Sequence, residues 1–432
     1  MKSIFKKFKN ISAQEDNKIL VSNFFSLSIL QGSYHVLAIV RFPYLVNVLG
    51  AEFYGLIAFA NAIIIYLGII TDYGFNLTAT RDISIHREDK GKITEIFSSV
   101  MIVKFFLLII TLILLTVAIL SLEKLQQYWY IYYFAFGTII GQVLFPTWFF
   151  QGIEEMKYIT ILTLIDKSLY TAAIFIFVRV PSDFYLVPAL ASAGYMISGI
   201  LSQILVYKKY QIRFRIYPLK VIKYYIVDGW HIFISRVFSS FYKSSNTVIL
   251  GFLTNNIIVG YYAIAEKFIV IIQALQNVFG IVLYPYFSKK LSINKNAFFE
   301  LNKKFIKYAV TIYFSLFLIL LLSSKIVILF LFGPENLPSV SNLRILSSIV
   351  FIGGLNYYFG IVGLVSMNYK KEFSRYMIAT SIVNVLVCLV LVKFLQDNGA
   401  AYSFLISELF LFTLTMSKIY KIKRNMELSA VQ

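Results

Sequence analysis

The chain has 432 residues, of which 59% are apolar, 17% aromatic and only 14% charged, and 40 Lys+Arg against 21 Asp+Glu leave a net charge of +19. Soluble domains carry about 25% charged residues, so a water-soluble globular protein is excluded, and the recurring apolar stretches mark a polytopic membrane protein whose spans need about 20 residues each. The basic residues lie in short runs between those stretches, as the positive-inside rule requires, which excludes a nucleic-acid surface, and the single cysteine, Cys388, excludes intrachain disulfides and a multi-cysteine metal site.

In chain order, a basic N-terminal arm, 1–18, precedes the first apolar stretch without a small-residue cleavage site, so it is expected to stay on the protein. Nearly charge-free runs then predict spans at 19–40, 53–70, 105–122, 128–150, 158–178 and 184–207, and again at 226–251, 257–286, 308–322, 345–369, 376–392 and 399–417. Twelve transmembrane helices in two six-helix bundles, 19–207 and 226–417, are the expected all-α fold, with a basic linker at 208–225 and a tail at 418–432. Flanking Lys and Arg support this alternation, with 29 on one side and 6 on the other. Both termini are therefore expected in the cytoplasm.

The first and seventh spans are the most polar. Ser22, Asn23, Ser26, Ser28, Gln31, Ser33 and His35 interrupt one, and Asp228, His231, Arg236 and Lys243 the other, so both should face water or protein rather than lipid. After each comes the same short pattern: Leu49-Gly50 before Gly55-Leu56-Ile57-Ala58-Phe59-Ala60, and Leu250-Gly251 before Gly260-Tyr261-Tyr262-Ala263-Ile264-Ala265. Both copies open the second helix of a half, which points to two parallel repeats related by a pseudo-two-fold axis.

Catalytic motifs are missing. There is no phosphate-binding G-x-x-x-x-G-K-[ST], no H-E-x-x-H and no G-x-S-x-G, so neither enzyme chemistry nor a cofactor or metal is expected. What remains is ionisable residues at membrane depth, which are costly there and so are functional candidates. Arg236 and Lys243, two helical turns apart with Asn246 near the same stripe, form either an anion-binding wall or partners for Asp228 and Glu266, or they snorkel to an interface. Lys267 lies beside Glu266, and Lys167 beside Asp166. Neighbours on a helix diverge by about 100°, so each pair is open to partners elsewhere. Glu408 is a proton or cation site or a partner for a lysine. Arg41 is an interfacial anchor or a substrate contact. Asp72-Tyr73-Gly74-Phe75 closes the second span, with Gly74 a candidate helix C-cap and Asp72 a candidate cytoplasmic gate. Phe145-Pro146-Thr147-Trp148-Phe149-Phe150 reads as an interfacial aromatic belt, followed by Gln151 and Glu154 as candidate sugar or headgroup contacts.

These segments carry a resemblance. Asp72-Tyr73-Gly74-Phe75 with Asn76 to Ser84 (including Arg81), Phe145-Pro146-x-Trp148-Phe149-Phe150-Gln151-Gly152-x-Glu154, Tyr242-x-Ser244-Ser245-Asn246-Thr247-Val248-Ile249-Leu250-Gly251, Ala265-Glu266-Lys267 and Pro285 within Leu283 to Tyr286 together resemble the Wzx-type O-antigen flippases, in the same order from about Asn17 to the end. The resemblance implies the multidrug/oligosaccharidyl-lipid/polysaccharide exporter superfamily and a V-shaped pair of bundles in the bacterial inner membrane. It implies as cargo an undecaprenyl-diphosphate-linked O-antigen repeat unit carried from the cytoplasmic to the periplasmic leaflet. Membrane lipids, an O-antigen polymerase and a chain-length regulator are the implied partners. Lys243 stands where many members carry an uncharged residue.

A sugar diphosphate cannot cross about 30 Å of hydrocarbon unaided, so such a flippase needs a wet cationic cavity, with Arg236, Lys243 and Lys267 as candidate lining. The competing reading is a cation-coupled multidrug antiporter on the same fold, with Asp166, Glu266 or Glu408 as carrier. It is disfavoured by the mid-membrane excess of Lys104, Lys167, Arg236, Lys243 and Lys267 over acids. A non-transporting scaffold of an assembly complex is the third class. Transport by rocking bundles would bend at Gly32, Gly50 or Gly251, unless these glycines only permit close packing.

Overall fold

The computed structural model describes the backbone of residues 15–293 and 295–431, and the side chains of 36–237, 240, 244–274, 276, 305–422 and 424. Lys243 and Pro285, and the arm up to residue 14, therefore lie outside the described residues, as do the side chains of the polar stretch 22–35. Among those described, nine helical stretches are long and apolar enough to cross a membrane. The multi-pass, all-helical character expected from composition is what the chain adopts.

The helices are α1 (Glu15–Asp72), α2 (Phe75–Ile85), α3 (Lys90–Ser121), α4 (Glu123–Gln126), α5 (Trp129–Leu144), α6 (Thr147–Gly152), α7 (Met156–Phe177), α8 (Leu186–Lys208), α9 (Leu219–Leu253), α10 (Asn256–Ile293), α11 (Lys295–Phe332), α12 (Ser339–Tyr357) and α13 (Lys370–Val431). The 58-residue α1 is two helices joined at Gly50, where φ is 73°, and the 62-residue α13 is two joined at Gln396, where φ is 50°. Of the three expected bending points, Gly50 is thus a real break. Gly251 lies inside α9, closely packed on the Phe59 ring.

Helix ends depart from the predicted spans for identifiable reasons. α3 begins at Lys90, well before the apolar run, because Asp89 caps it by accepting from the Lys92 amide at 2.9 Å. The expected single span 128–150 is broken at Phe145-Pro146. Proline has no N–H to donate and drives the residue before it out of the helical region, and Phe145 sits at φ −95°, ψ 93°. The tenth predicted span, 345–369, runs through α12 into a π-helix, Tyr358–Val365.

The chain divides into two compact units, Met1–Leu49 with Ile63–Arg236, and Gly50–Ala62 with Val237–Gln432. In the first unit, α5 packs closely on α8, with Ser202 and Gln203 donating to the Leu144 carbonyl. In the second, α12 packs against α10, α11 and α13. The stretch 50–62 belongs to the second unit because the two copies of the repeated pattern meet there. Gly55 lies against the backbone of Asn256 and Gly260, and Gly260 against the backbone of Ala51, so closely that a Cβ on either would collide with main chain. Close approach of small residues is how helices associate where lipid is as apolar as the side chains.

Candidate functional site

The motifs at Asp72–Phe75, Asn76–Ser84 and Phe145–Glu154 converge in the first unit, around the turn between α1 and α2. Tyr73 (φ 48°) and Gly74 (φ 86°) both take left-handed backbone. Gly74 serves as N-cap of α2 rather than only closing the helix before it, and a side chain there would run into Ile232 of α9. The turn rests on α9, with the Tyr73 ring stacked on Phe233 at 4.8 Å and Gly229 against Tyr73. Asp72 is thereby aimed at Arg236, with which it forms an ion pair.

A chain of hydrogen bonds fixes the carboxylate from behind. Asn76 donates to Asp72 Oδ1 at 2.6 Å, and Thr147, from α6, donates to Asn76 Oδ1 at 2.9 Å. Thr80 donates to the Trp148 carbonyl at 3.2 Å and approaches Gln151 Oε1 at 3.4 Å. Arg81 binds Asp82 at 2.7 Å and reaches Asp228 of α9 at 3.0 Å, and Arg87 pairs with Glu154 at 2.5 Å. The aromatic segment is not an interfacial belt, because Trp148, Phe149, Phe150 and Phe75 are all essentially inaccessible, with Trp148 and Phe149 packed on the Phe97 ring. Its rings form the core that holds α2, α3 and α6 together.

Arg236 therefore pairs with Asp72, and Asp228 with Arg81. The Asp72 and Arg236 side chains keep 19% and 38% exposure. Lys104 of α3 is buried, only 4% exposed. Sequence reasoning counted Lys104 among the mid-membrane cations without nominating it. Its signal was simply a lysine inside an otherwise apolar run.

A second cluster of the first unit joins α7 and α8. Asp166 and Lys167 do pair with each other, at 2.8 Å, although consecutive on one helix, because the long lysine folds back over Tyr195, 3.7 Å from the ring centroid. Among the described residues, Asp166 Oδ1 has no hydrogen-bond partner. Arg41 donates to Thr171 at 3.0 Å and lies over the Tyr170 ring.

The second unit holds a different constellation. Asn246 is buried and donates to the Ala400 carbonyl at 3.0 Å and toward Tyr262 at 3.3 Å, and Asn384 donates to Asn246 Oδ1 at 2.8 Å and Ser245 Oγ at 3.0 Å. Asn246 is thus tied into packing between α9, α10 and α13. Thr247 and Tyr262 donate to the two oxygens of Glu266 at 3.1 and 3.4 Å. Asn356 donates to Glu408 Oε2 at 2.6 Å, and Asn342 to Asp397 at 2.6 Å. Lys267 is half-buried in α10 beside Glu266. The asparagines, polar residues recurring inside apolar runs, were the legible but unread signal.

Outside the spans, Lys209 donates to Tyr158 at 2.7 Å and to Tyr210 and Glu155 at 3.2 Å. The Tyr158 bond, followed by those to Tyr210 and Glu155, holds the Lys209 ammonium above its ordinary range against partial desolvation. Burial pushes Glu155 up, but its bonds to Lys157 and Lys209 outweigh that and leave the carboxyl below its ordinary range.

The family model described as "Polysaccharide biosynthesis protein" matches residues 20–291. A protein of Escherichia coli (strain K12) named "Putative O-antigen transporter" is 32% identical over 393 residues, covering 91% of this chain and 95% of that protein. A Shigella dysenteriae protein of the same name is 30% identical, covering 62% and 67%. Among solved structures, the lipid II flippase MurJ in an inward closed conformation superposes with TM-score 0.67 at 14% identity, covering 91% of this chain and 87% of MurJ. An inward-facing multidrug resistance transporter of the MATE family, within the MOP superfamily, gives 0.67 at 13% identity and covers 93% and 99%.

Proposed function

The chain belongs to the polysaccharide biosynthesis protein family, and from that premise we propose that it is a flippase for undecaprenyl-diphosphate-linked O-antigen repeat units. It carries them from the cytoplasmic to the periplasmic leaflet of the bacterial inner membrane, with twelve spans, six in 19–207 and six in 226–417, and both termini in the cytoplasm. The O-antigen transporters and the MOP-superfamily fold support the class of cargo and the architecture. The observation that carries the reading is Arg236: a guanidinium on a polar membrane helix, paired with Asp72 yet still 38% exposed, is suited to a diphosphate headgroup. Lys243 and Lys267 are the further cations proposed for that headgroup, and O-antigen polymerase with its chain-length regulator receives the product.

The test is a cell lacking this protein. Undecaprenyl-linked repeat units should accumulate on the cytoplasmic leaflet and return to the surface on complementation, whereas normal surface O-antigen without the protein overturns the reading. The competing cation-coupled drug antiporter draws on the buried Glu408 carboxylate held by Asn356. It requires that the same deletion raise drug sensitivity while leaving O-antigen intact.

A further inference from the structure

We propose that the non-helical stretch joining α8 to α9, residues 211–218, together with the start of α9, is a strap that seats on the membrane surface and binds anionic glycerophospholipid of the phosphatidylglycerol class. The inference needs the membrane fold alone and is independent of the cargo. From Lys208 to Lys223 the chain carries six basic and no acidic residues. Lys209 is engaged inside the protein, by Glu155, Tyr158 and Tyr210. Arg213, Arg215, Lys220 and Lys223 are exposed, and among the described residues none of them forms an ion pair. A run of bases with no counter-charge along the chain is complementary to an anionic surface.

The strap is pinned to the first unit. Gln211, with φ 54°, turns the chain at the end of α8 and accepts from Lys90 at 3.1 Å. Ile212 is 4% exposed and its amide donates to the Val206 carbonyl at 3.3 Å, and the Arg215 amide donates to Ser98 Oγ of α3 at 3.0 Å. Past Ile212 the apolar side chains are uncovered: Phe214, Ile216 and Leu219 are 54%, 85% and 83% exposed. Large apolar groups interleaved with bases are what interfacial segments use, the former entering the acyl boundary and the latter meeting phosphate. The depth agrees. Ser98 lies seven residues before the charge-free run of α3 that begins at Phe105, about 10 Å along the helix, and the headgroup layer adds about 5–8 Å on each side of the hydrocarbon core. Arg215 therefore stands at the outer edge of that layer, where long basic side chains reach phosphate and apolar ones reach further in.

The experiment takes the full-length protein with Cys388→Ala and a single cysteine at Ile216→Cys, spin-labelled and reconstituted into vesicles. Accessibility of the label to oxygen, which concentrates in the bilayer, against a water-soluble nickel chelate reports its immersion. In phosphatidylcholine with about one third phosphatidylglycerol, the oxygen-to-nickel ratio should be about threefold or more above that in phosphatidylcholine alone. The Arg213→Gln/Arg215→Gln/Lys220→Gln/Lys223→Gln variant should lose that difference, while a label at Ile113→Cys, within the apolar run of α3, reads the same throughout and shows that the variant is inserted. Should the variant not insert, salt decides on the protein with its four bases intact: about 1 M salt should abolish the difference, and a difference that survives overturns the proposal. A label at 216 that stays in water in both lipids, as a protein-binding patch would, overturns it. So does a label equally immersed in both lipids or indifferent to the four charges. None of these outcomes touches the flippase reading, which the deletion strain tests.

Discussion

In the first unit, charged side chains meet charged side chains: Asp72 with Arg236, Asp166 with Lys167, Arg81 with Asp82 and Asp228. In the second unit, the described hydrogen bonds of the buried carboxyls come from amides and hydroxyls: Glu408 with Asn356, Asp397 with Asn342, Glu266 with Thr247 and Tyr262. An ion pair in a poor dielectric binds both partners in their charged forms and responds to another ion. A carboxyl held by neutral donors and acceptors tolerates gain and loss of a proton without leaving a counter-charge stranded. From this contrast we propose that anion handling belongs to the first unit and any proton traffic to the second, a division that can be broken at defined residues.

The largest effect is expected at the charged end. Arg236→Ala strands the Asp72 carboxylate and removes an exposed cation, so surface O-antigen should fall at least tenfold at unchanged protein abundance. The exchanged pair Asp72→Arg/Arg236→Asp separates two roles. If pairing alone matters, the swap restores export, and if the guanidinium must stand on α9 to meet an anion, it does not. The second outcome is expected, with O-antigen laddering on gels as the measurement.

Next in size is the carboxyl of the second unit. Glu408→Gln keeps the shape and an acceptor for Asn356 but cannot exchange a proton. Transport of a labelled lipid in proteoliposomes should lose most of its dependence on an imposed pH gradient, while Arg236→Lys should lower the rate and preserve that dependence. Equal gradient dependence in Glu408→Gln and wild type would remove Glu408 as carrier.

A smaller effect separates structure from transport within the second unit. Asn246→Ala removes a buried donor to the Ala400 carbonyl and a buried acceptor for Asn384, which keep only Ser403 and Ser245 with Ser407 as side-chain partners, and a lost buried hydrogen bond typically costs about 1 kcal/mol. The melting temperature should fall while transport per folded molecule stays near wild type. Transport lost without loss of stability would move Asn246 from packing to the substrate path.

How much of this was legible depends on distance along the chain. The all-helical membrane fold follows from composition and apolar runs, and Gly50 as a break follows from glycine between two such runs. The repeated Gly-x-x-Ala-x-Ala pattern was visible in the sequence. That its two copies touch, Gly55 on Gly260, was not, because no local rule says which helices of two repeats lie together. Asp72 and Arg236 were both singled out, but their pairing spans 164 positions. The aromatic run at 145–150 illustrates the opposite failure. Trp and Phe suit an interface and a core equally well by composition, and the break at Pro146 that turns Trp148 inward decides between them.

The smallest effect tests the contrast at its margin, in the charged cluster outside the spans. Glu155 (28% exposed) and Lys209 (41% exposed) form a pair that solvent screens, so Glu155→Gln should cost well under about 1 kcal/mol. The sign of its pH dependence is fixed by the shifts. The Glu155 carboxyl is held below its ordinary value, so its contribution is present above the unfolded-state pKa of about 4.3 and disappears as pH falls through the lower folded-state value. Lys209 is held above its ordinary value, so its contribution is present below about 10.4 and disappears as pH rises through the folded-state value. The stability difference between wild type and Glu155→Gln should therefore be flat from about pH 5 to pH 10 and vanish toward acid, as read by thermal unfolding across that range. A difference that grows toward acid would mean that Glu155 is held by its neutral form, and the charge-on-charge rule of the first unit would end at the membrane boundary.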